Sequence, residues 1–526
     1  MTAQKNSDGS TVDYIVVGAG SAGSAITRRL IDAGHRVHVI EAGQVDTDPN
    51  IHSPQGWPAL LFSENDWAVM TVPQRHAAER SVYWPRGKVL GGSSSLNGMI
   101  YMRGDQSDYN SWETQGAAGW GWTDVLPLFL RSEDHEDGAS EFHGVGGPLH
   151  VERIKPENRH PAAQMFVDAA KSLGIAETTD FNAEKLDGVG FNHTTTKDGR
   201  RASAWTSYVK PVLGNARLTV TTGALVHRVI LDKNRAVGVE YAADGQTHRT
   251  FAAAEVILSA GTIGSPKILM LSGIGPKNHL AEHGIAVLAD LPGVGENLHD
   301  HLLVSNIYES VEPLVAGKAN LLESQLFARS SGWDGPAPDL QPLFLHLPYP
   351  TNGGPVPENG YTIAPGIVRP QSRGTLRLAS ANPADPALAD PNIFAEDYDL
   401  EAMVDAIILC REIGQQDAFA AIRKAEFAPG PDVTTREQLR EFARQSVGTY
   451  HHQVGTARMG VDDLAVVDPS LRVHGLQGLR VADASVMPSI PSANTNAPSI
   501  MIGERMADIL LGVAAGEPTA ARLLTA

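Results

Sequence analysis

The chain has 526 residues, of which 42 are basic and 60 acidic, so its formal net charge at pH 7 is −18. This length predicts two or more structural units, and the acidic balance argues against nucleic acid and anionic membranes as partners. The single cysteine, Cys410, excludes an intrachain disulfide and a multi-cysteine metal site. Because it lies in an apolar helical pattern, we expect Cys410 to fill the core.

Two features of the sequence indicate the cellular compartment of the protein. Residues 1–14 are polar and contain no apolar core of a secretory signal. The sequence also contains no run of eighteen apolar residues, which argues against membrane insertion. We therefore expect a cytoplasmic protein.

The most informative stretch is residues 13–43. An apolar, β-branched run predicts a buried parallel strand, and glycines at the spacing GxGxxG, a helical pattern and a second strand ending at Glu41 follow it. Gly18 permits a tight turn, Gly20 lets the backbone approach a pyrophosphate, and Gly23 lets the helix pack on the strand. Glu41 can accept hydrogen bonds from ribose hydroxyls. This order of elements indicates a dinucleotide site.

Three later segments bear on the choice between NAD and FAD, which the glycines alone leave open. Residues 84–104 are rich in glycine and serine without a period, which predicts a loop that lets the backbone approach a flat ligand. Residues 255–276 predict a strand, a glycine turn and a helix that begins near Pro266. Residues 479–512 predict a strand, an irregular loop and a final helix with Asn496 as its N-cap.

With these segments the chain resembles the glucose–methanol–choline (GMC) family of FAD-dependent oxidoreductases. The stretches "GGSSSLNG", "GTIGSPKILMLSGIGP", "PGVGENLHDH", "HHQVGTARMG" and "NTNAPSIMIGE" match the family in order, from about residue 12 to residue 512. Bacterial alcohol, choline and sorbose dehydrogenases and pyridoxine oxidase look most similar. The implied fold is α/β: a Rossmann-type FAD-binding domain with an interleaved substrate domain built on an antiparallel sheet with helices.

The resemblance also implies a domain division. FAD-binding parts are expected at residues 1–150, 191–310 and 446–526, and the last of them would carry the catalytic histidine loop. Substrate-domain parts are expected at residues 151–190 and 311–445.

Roles in FAD binding are likewise carried over from the family. Gly18, Gly20 and Gly23 would cradle the pyrophosphate, and Glu41 would bind the adenosine ribose. Val226 would contact the adenine through its backbone, and Asp483 would bind the ribityl or pyrophosphate region. Asn496 would face the flavin pyrimidine ring, where a helix N-terminus stabilises negative charge. Some members attach FAD covalently at the position of Leu96, so we expect non-covalent FAD here. The full predicted set is Gly18, Gly20, Ser21, Ala22, Gly23, Glu41, Ala42, Arg86, Gly91, Gly92, Ser93, Asn97, Gly98, Met99, Val226, Gly261, Asp483, Ala484 and Asn496.

The catalytic prediction concerns the stretch "TYHHQVGTARMG". Oxidation of an alcohol requires a base for the hydroxyl proton and an acceptor, flavin N5, for the hydride, and histidine titrates near neutral pH. The residue that aligns with the family's base is His452, and Asn494 takes the place of its partner, where its amide can donate to the substrate oxygen. His451 is expected to be structural or else to line the pocket. The acceptor that reoxidises the flavin, O₂ or another molecule, stays open, and Tyr450 bears on that choice.

Two further observations concern metal and substrate. His299 and His301 have HxH spacing, but without a matching carboxylate cluster we expect no metal and assign His301 to the support of the flavin loop. Leu303 stands where choline-oxidising members carry a glutamate, which disfavours choline. The apolar stretch 340–350 would favour an uncharged aliphatic or aromatic primary alcohol, pyridoxine- or furfuryl-like. A flavin-containing lyase without net redox and a sugar or polyol dehydrogenase are the alternatives.

Overall fold

The computed structural model describes residues 12–513, so most of the segment behind the signal-sequence prediction lies outside the described range. Within residues 12–513, no helix combines the length and the apolar character that crossing a membrane would require. The helices are α1 (Ser21–Asp32), α2 (Pro49–His52), α3 (Trp57–Leu60), α4 (Gln106–Thr114), α5 (Trp122–Ser132), α6 (Pro161–Ser172), α7 (Gly261–Leu271), α8 (Lys277–Glu282), α9 (Asp397–Gly414), α10 (Arg436–Ser446) and α11 (Asn496–Leu511).

The strands are short except near the middle of the chain. The first fourteen are β1 (Val12–Val17), β2 (Val37–Ile40), β3 (Val69–Met70), β4 (Tyr83–Trp84), β5 (Glu133–His135), β6 (Leu149–Arg153), β7 (Gly188–Phe191), β8 (His193–Thr194), β9 (Thr196–Lys197), β10 (Arg200–Arg201), β11 (Leu218–Thr221), β12 (Leu225–Asp232), β13 (Arg235–Ala243) and β14 (Gln246–Leu258). The others are β15 (Ile274–Gly275), β16 (Ala289–Asp290), β17 (Leu302–Leu303), β18 (Asn306–Ser310), β19 (Ser324–Phe327), β20 (Leu343–Leu345), β21 (Gly360–Ala364), β22 (Gly366–Ile367), β23 (Thr375–Arg377), β24 (Leu388–Asp390), β25 (Arg423–Ala428), β26 (Gly448–Thr449) and β27 (Leu479–Val481).

A seven-stranded sheet carries the dinucleotide motif. Its order is β11-β2-β1-β14-β13-β12, and β27 pairs with β14. The strands β11, β2, β1, β14 and β27 pair in parallel, whereas β12, β13 and β14 form antiparallel pairs. Helix α11 packs closely on α1 because position 503 is glycine: a Cβ there would lie 2.5 Å from the Ala22 carbonyl oxygen. This parallel sheet and its helices confirm the predicted Rossmann-type architecture.

A second, antiparallel sheet of six strands has the order β25-β18-β21-β20-β19-β7. Helices α6 and α9 cover it and share its apolar core, in which Phe166 and Cys410 are fully buried. The prediction that Cys410 fills the core is therefore confirmed, as is the predicted antiparallel sheet with helices. The division of the chain into five alternating parts stays a prediction.

Two helix starts differ from their predicted positions. Helix α7 begins at Gly261 rather than near Pro266, which lies inside it. Pro266 cannot donate to the carbonyl oxygen of Thr262, and the Thr456 hydroxyl donates to that oxygen instead, at 2.6 Å. Asn496 is the first residue of α11 rather than its N-cap. Both helix starts, Gly261 and Asn496, lie on the wall of one cavity.

Candidate active site

One cavity of about 810 Å³ is lined by residues of both sheets and of the loops between them. All the predicted cofactor and catalytic residues except Gly23 and Gly91 line it. Its volume falls in the range, roughly 300–1,000 Å³, of pockets that hold small molecules and cofactors. The fold therefore brings together residues that are more than four hundred positions apart.

Glycines build one part of the wall. Gly18 has φ +100°, and a Cβ there would lie 2.4 Å from the Ser259 carbonyl oxygen. Gly23 stands behind the wall, where a Cβ would lie 2.0 Å from the Gly18 carbonyl oxygen. A Cβ at Gly92 would lie 2.8 Å from the Cα of Gly20, so the two glycine loops touch backbone to backbone. Side chains at these positions would push apart the backbone segments that form this part of the wall.

Three helix N-termini reach the same wall. Ser21 at the start of α1, Gly261 at the start of α7 and Asn496 at the start of α11 all line the cavity. The Ser21 hydroxyl donates to the Asn496 side-chain oxygen at 2.7 Å and so joins two of these starts. Helix N-termini carry partial positive charge and unpaired N–H groups, which suits a pyrophosphate and other negative charge.

Two buried carboxylates also belong to this part of the wall. Glu41 accepts hydrogen bonds from the backbone N–H of Ala19 at 2.9 Å and of Gly43 at 2.8 Å. Burial raises its pKa, and these backbone donors partly offset that effect. One oxygen of Asp483 accepts from the Gly261 backbone and the Ser265 hydroxyl at the start of α7. The other oxygen accepts from the backbone N–H and the hydroxyl of Ser485.

The other part of the wall contains His452, three residues after β26. Its backbone N–H donates to Asp300 at 2.8 Å, and its Nδ1 lies 2.9 Å from Nδ1 of His301. Its Nε2 lies 3.2 Å from Nδ2 of Asn494. The structure thus places the predicted base and its predicted partner in direct contact on the cavity wall.

The hydrogen bonds assign the tautomer of His452. Because the Asn494 amide donates to Nε2, this nitrogen holds a lone pair, and the neutral ring carries its hydrogen on Nδ1 toward His301. Burial, followed by the charges of His301, His451 and Arg86, lowers the pKa of His452 well below its ordinary value. The ring is therefore neutral at neutral pH, and its one lone pair, on Nε2, accepts from Asn494.

The stretch around Asp300 supports this histidine. Asp300 accepts from the Thr449 hydroxyl and, at 2.7 Å, from the Gln453 amide, and burial raises its pKa to about 6. Nδ1 of His301 contacts His452, and its predicted support of the flavin loop stays a prediction. The ring nitrogens of His299 lie 2.6 Å and 3.0 Å from backbone groups of Asn297 and Ile490, so both are used in the fold. The sequence contained no signal that tied these residues to His452.

The two residues before His452 have different surroundings. His451 has φ +67°, lines the cavity, and accepts a hydrogen bond from Arg86 on its carbonyl oxygen at 2.7 Å. Burial and then the charge of Arg86 lower its pKa to about 3. Tyr450 stacks on the His452 ring at a centroid distance of 5.5 Å, and its hydroxyl donates to the Gln341 carbonyl oxygen. A Cβ at Gly366 would overlap the Tyr450 ring.

The wall around the histidine is largely apolar and aromatic. Leu303 lines it from β17, which pairs with β26, the strand that precedes His452. Among the described residues, the carboxylates that line the cavity are Glu41, Asp385 and Asp483, none of which belongs to the histidine segment. The apolar and aromatic residues in question are Trp57, Ile100, Leu303, Leu322, Leu343, Leu345, Tyr349 and Tyr450.

A second polar cluster, which no sequence motif indicated, lies outside the cavity. The ring nitrogens of His135, His143 and His193 lie close enough together to hold a metal ion. However, both nitrogens of His143 are taken by carboxylates, Glu133 at 3.1 Å and Asp180 at 2.7 Å. These bonds outweigh the effect of burial and raise the pKa of His143 to about 9. The geometry is that of a buried ion pair.

Comparison with known proteins agrees with this arrangement. The GMC oxidoreductase family matches residues 12–303 and 370–503. The chain is 41% identical to oxygen-dependent choline dehydrogenase of Brucella ovis and 40% identical to alcohol dehydrogenase (acceptor) of Pseudomonas putida, in each case over 95% of both chains. The crystal structure of pyridoxine 4-oxidase from Mesorbium loti superposes with a TM-score of 0.91 at 36% identity, over 94% of this chain and 98% of that one.

These matches define an FAD-dependent oxidoreductase that acts on alcohols. The chain belongs to the GMC oxidoreductase family. The residues present fit the cofactor, since the glycine cradle leaves room for a ligand against the backbone and three helix N-termini offer partial positive charge beside it.

Proposed function

We propose that the protein oxidises an uncharged primary alcohol to an aldehyde, with His452 as the general base and Asn494 as the donor to the substrate oxygen. One observation carries the proposal: Nε2 of His452 and Nδ2 of Asn494 are 3.2 Å apart on the wall of the cavity that also contains Gly18 and Glu41. A lone pair and an amide N–H side by side can each bind a hydroxyl group.

FAD would be held by the glycine cradle, the three helix starts and Glu41. When bound, the flavin accepts the hydride that leaves the alcohol carbon. Leu96 is buried on the cavity wall and has no group that bonds covalently to a flavin, so the cofactor dissociates. Acid precipitation should therefore leave the yellow colour in the supernatant; colour that stays in the pellet contradicts a non-covalent cofactor.

The protein's own contribution is the movement of one proton. A hydroxyl group that enters between the two side chains would give its proton to Nε2 of His452, while Nδ2 of Asn494 donates to the oxygen left behind. Nδ1 of His452 keeps its hydrogen and donates it to Nδ1 of His301, and Asp300 accepts from the backbone N–H of His452. The lowered pKa of His452 keeps the ring neutral, and so ready to accept a proton, before substrate binds.

The substrate class follows from the wall around the base. Leucine and isoleucine side chains favour an apolar or aromatic alcohol, and Leu303 offers no charge to a quaternary ammonium group. Choline is the competing substrate, because Trp57, Tyr349 and Tyr450 line the cavity and aromatic faces attract such cations. The Brucella ovis relative is a choline dehydrogenase by name.

A panel of alcohols tests the proposal. Each is mixed anaerobically with the holoprotein, and the loss of flavin absorbance is followed for benzyl alcohol, furfuryl alcohol, pyridoxine, choline and sorbitol. Bleaching by the uncharged aromatic alcohols is expected. Bleaching by none contradicts alcohol oxidation and favours a lyase, whereas faster bleaching by choline or sorbitol contradicts the substrate class.

A matched pair of variants sharpens the choice against choline. Leu303→Glu should raise activity on choline relative to Leu303→Gln, which has the same length without the charge. Equal choline activity in the two variants contradicts a position next to the substrate. Oxygen consumption compared with dye reduction then identifies the acceptor, O₂ or another molecule.

A further inference from the structure

Arg201 is a buried arginine that belongs to none of the sequence motifs described above. It is the second residue of β10 and is only 4% exposed, whereas its neighbour Arg200 is exposed. The side chain passes behind the loop that carries Asn97, which lines the cavity.

The contacts of its guanidinium group are all with uncharged oxygens. Nε donates to the Ile51 carbonyl oxygen at 2.6 Å. Nη1 donates to the carbonyl oxygen of Asn97 at 2.6 Å, to its side-chain oxygen at 2.7 Å, and to the Ser94 carbonyl oxygen at 3.3 Å. Within residues 12–513, Nη2 is buried without a hydrogen-bond partner, and no carboxylate pairs with the group.

This arrangement is unusual for a buried charge. Buried arginines are normally paired, as Arg103 is with Glu133 at 2.7 Å. Burial lowers the pKa of Arg201 to about 9, so the guanidinium is still a cation at neutral pH. A positive charge that the described protein does not neutralise favours negative charge on whatever occupies the adjacent cavity.

The contact with Asn97 has a second effect. The Asn97 side-chain oxygen accepts from both Arg201 and the Met99 backbone N–H, at 2.7 Å and 3.1 Å. A flipped amide would set its NH₂ group against two donors, so the orientation is fixed. The Nδ2 donor of Asn97 is then the part of the amide left for a ligand in the cavity.

We propose that Arg201 is a positioning residue that fixes the Asn97 amide toward the flavin and, through its unpaired charge, stabilises the negative charge that the flavin gains on reduction. The inference rests on the proposed function and on the prediction that the loop of residues 84–104, which carries Asn97 on the cavity wall, approaches the flat ring of the flavin. Arg201 itself does not line the cavity and touches neither substrate nor cofactor.

Sulfite binding provides a test that does not depend on turnover, because sulfite adds reversibly to oxidised flavin and leaves negative charge on the ring. Arg201→Met should weaken sulfite binding by about tenfold or more, which corresponds to about 30 mV in the two-electron potential, measured by dye-coupled reduction. Arg201→Lys retains the charge and should stay within about threefold of wild type. Arg200→Met, the exposed neighbour, is the matched control and should leave both quantities unchanged.

A folded, FAD-loaded Arg201→Met with wild-type sulfite affinity and potential would overturn the inference and leave Arg201 as a clamp between loops. An Arg201→Lys variant as defective as Arg201→Met would overturn the role of charge. If Arg201→Met does not fold, Arg201→Gln replaces it. This variant can still donate to the Ile51 carbonyl oxygen but has no charge, and its sulfite affinity and potential are compared with those of Arg201→Lys. Sulfite titration measures bound FAD whether or not any alcohol bleaches it, so this result and the failure of the proposed function are distinguishable.

Discussion

The cavity wall has two parts that are built in different ways. In the nucleotide part, the surface is backbone: the glycines of residues 13–43, the glycine loop that touches them and three helix starts. In the histidine part, the surface is side chain: His452 and Asn494, supported by Asp300 and His301 from a distant segment. The shape of the nucleotide part depends on the absence of side-chain atoms at its glycines. The chemistry of the histidine part depends on the orientation of its hydrogen-bond donors and acceptors.

This difference teaches where each part is vulnerable. A substitution in the nucleotide part adds atoms and should act on cofactor affinity. A substitution in the histidine part removes or turns a donor or acceptor and should act on the rate while the cofactor stays bound. The four predictions below separate the two effects.

The largest effect is expected for His452→Ala. Removal of a general base should slow anaerobic bleaching of the flavin by an alcohol about 10²–10⁴-fold, with FAD content unchanged. The measurement is the single-turnover rate by stopped flow. His451→Ala, at the adjacent position, should lose less than about tenfold. Equal losses in the two variants would contradict the choice of His452.

Asn494→Ala should follow, with a loss of about 10² in the same rate, since it removes one donor to the developing oxyanion. Gln341→Met leaves the donor in place but removes the amide that donates to the Asn494 oxygen at 3.2 Å. Its loss should be smaller than that of Asn494→Ala. A larger loss in Gln341→Met than in Asn494→Ala would contradict Asn494 as the donor to the oxyanion.

Gly18→Ala tests the nucleotide part. The added Cβ must displace the Ser259 backbone, so the dissociation constant of FAD should rise by about tenfold, or about 1.4 kcal/mol. Gly34→Ala is the matched control, since Gly34 also has positive φ, +86°, but a Cβ there meets no atom within 4 Å. Both variants should be less stable by about 1–2 kcal/mol. Weakened FAD binding in both would mean that backbone strain, not the wall, is responsible.

The smallest effect is expected from pH. Because the pKa of His452 is lowered, the base is already neutral at pH 7, and the bleaching rate should change less than about threefold between pH 7 and 8.5. The rate should fall below about pH 6, because Asp300, whose pKa is raised to about 6, gains a proton there and weakens its bond to the His452 backbone. A rate that rises about tenfold per pH unit above pH 7 would contradict a lowered pKa.

The sequence predicted the nucleotide part better than the histidine part for a physical reason. Strand, glycines and helix within residues 13–43 follow from local periodicity and conformational freedom, and the structure has them as predicted. The start of α7 was predicted too late because the bond that compensates for Pro266 comes from Thr456, about 190 residues away in sequence. The contact between His301 and His452 is likewise decided by packing between distant segments.

A row of side-chain amides leads from the sulfur atom of Met102 to His452. The thioether of Met102 can only accept, so Gln325 must turn its NH₂ toward it, at 3.3 Å, and its oxygen toward Gln341. Gln341 must then present NH₂ to Asn494, and Asn494 must present NH₂ to His452. The direction of every bond in this row is set at its far end, so a methionine in the interior decides that Nε2 of His452 carries the lone pair, and Nδ1 the hydrogen, in the neutral ring.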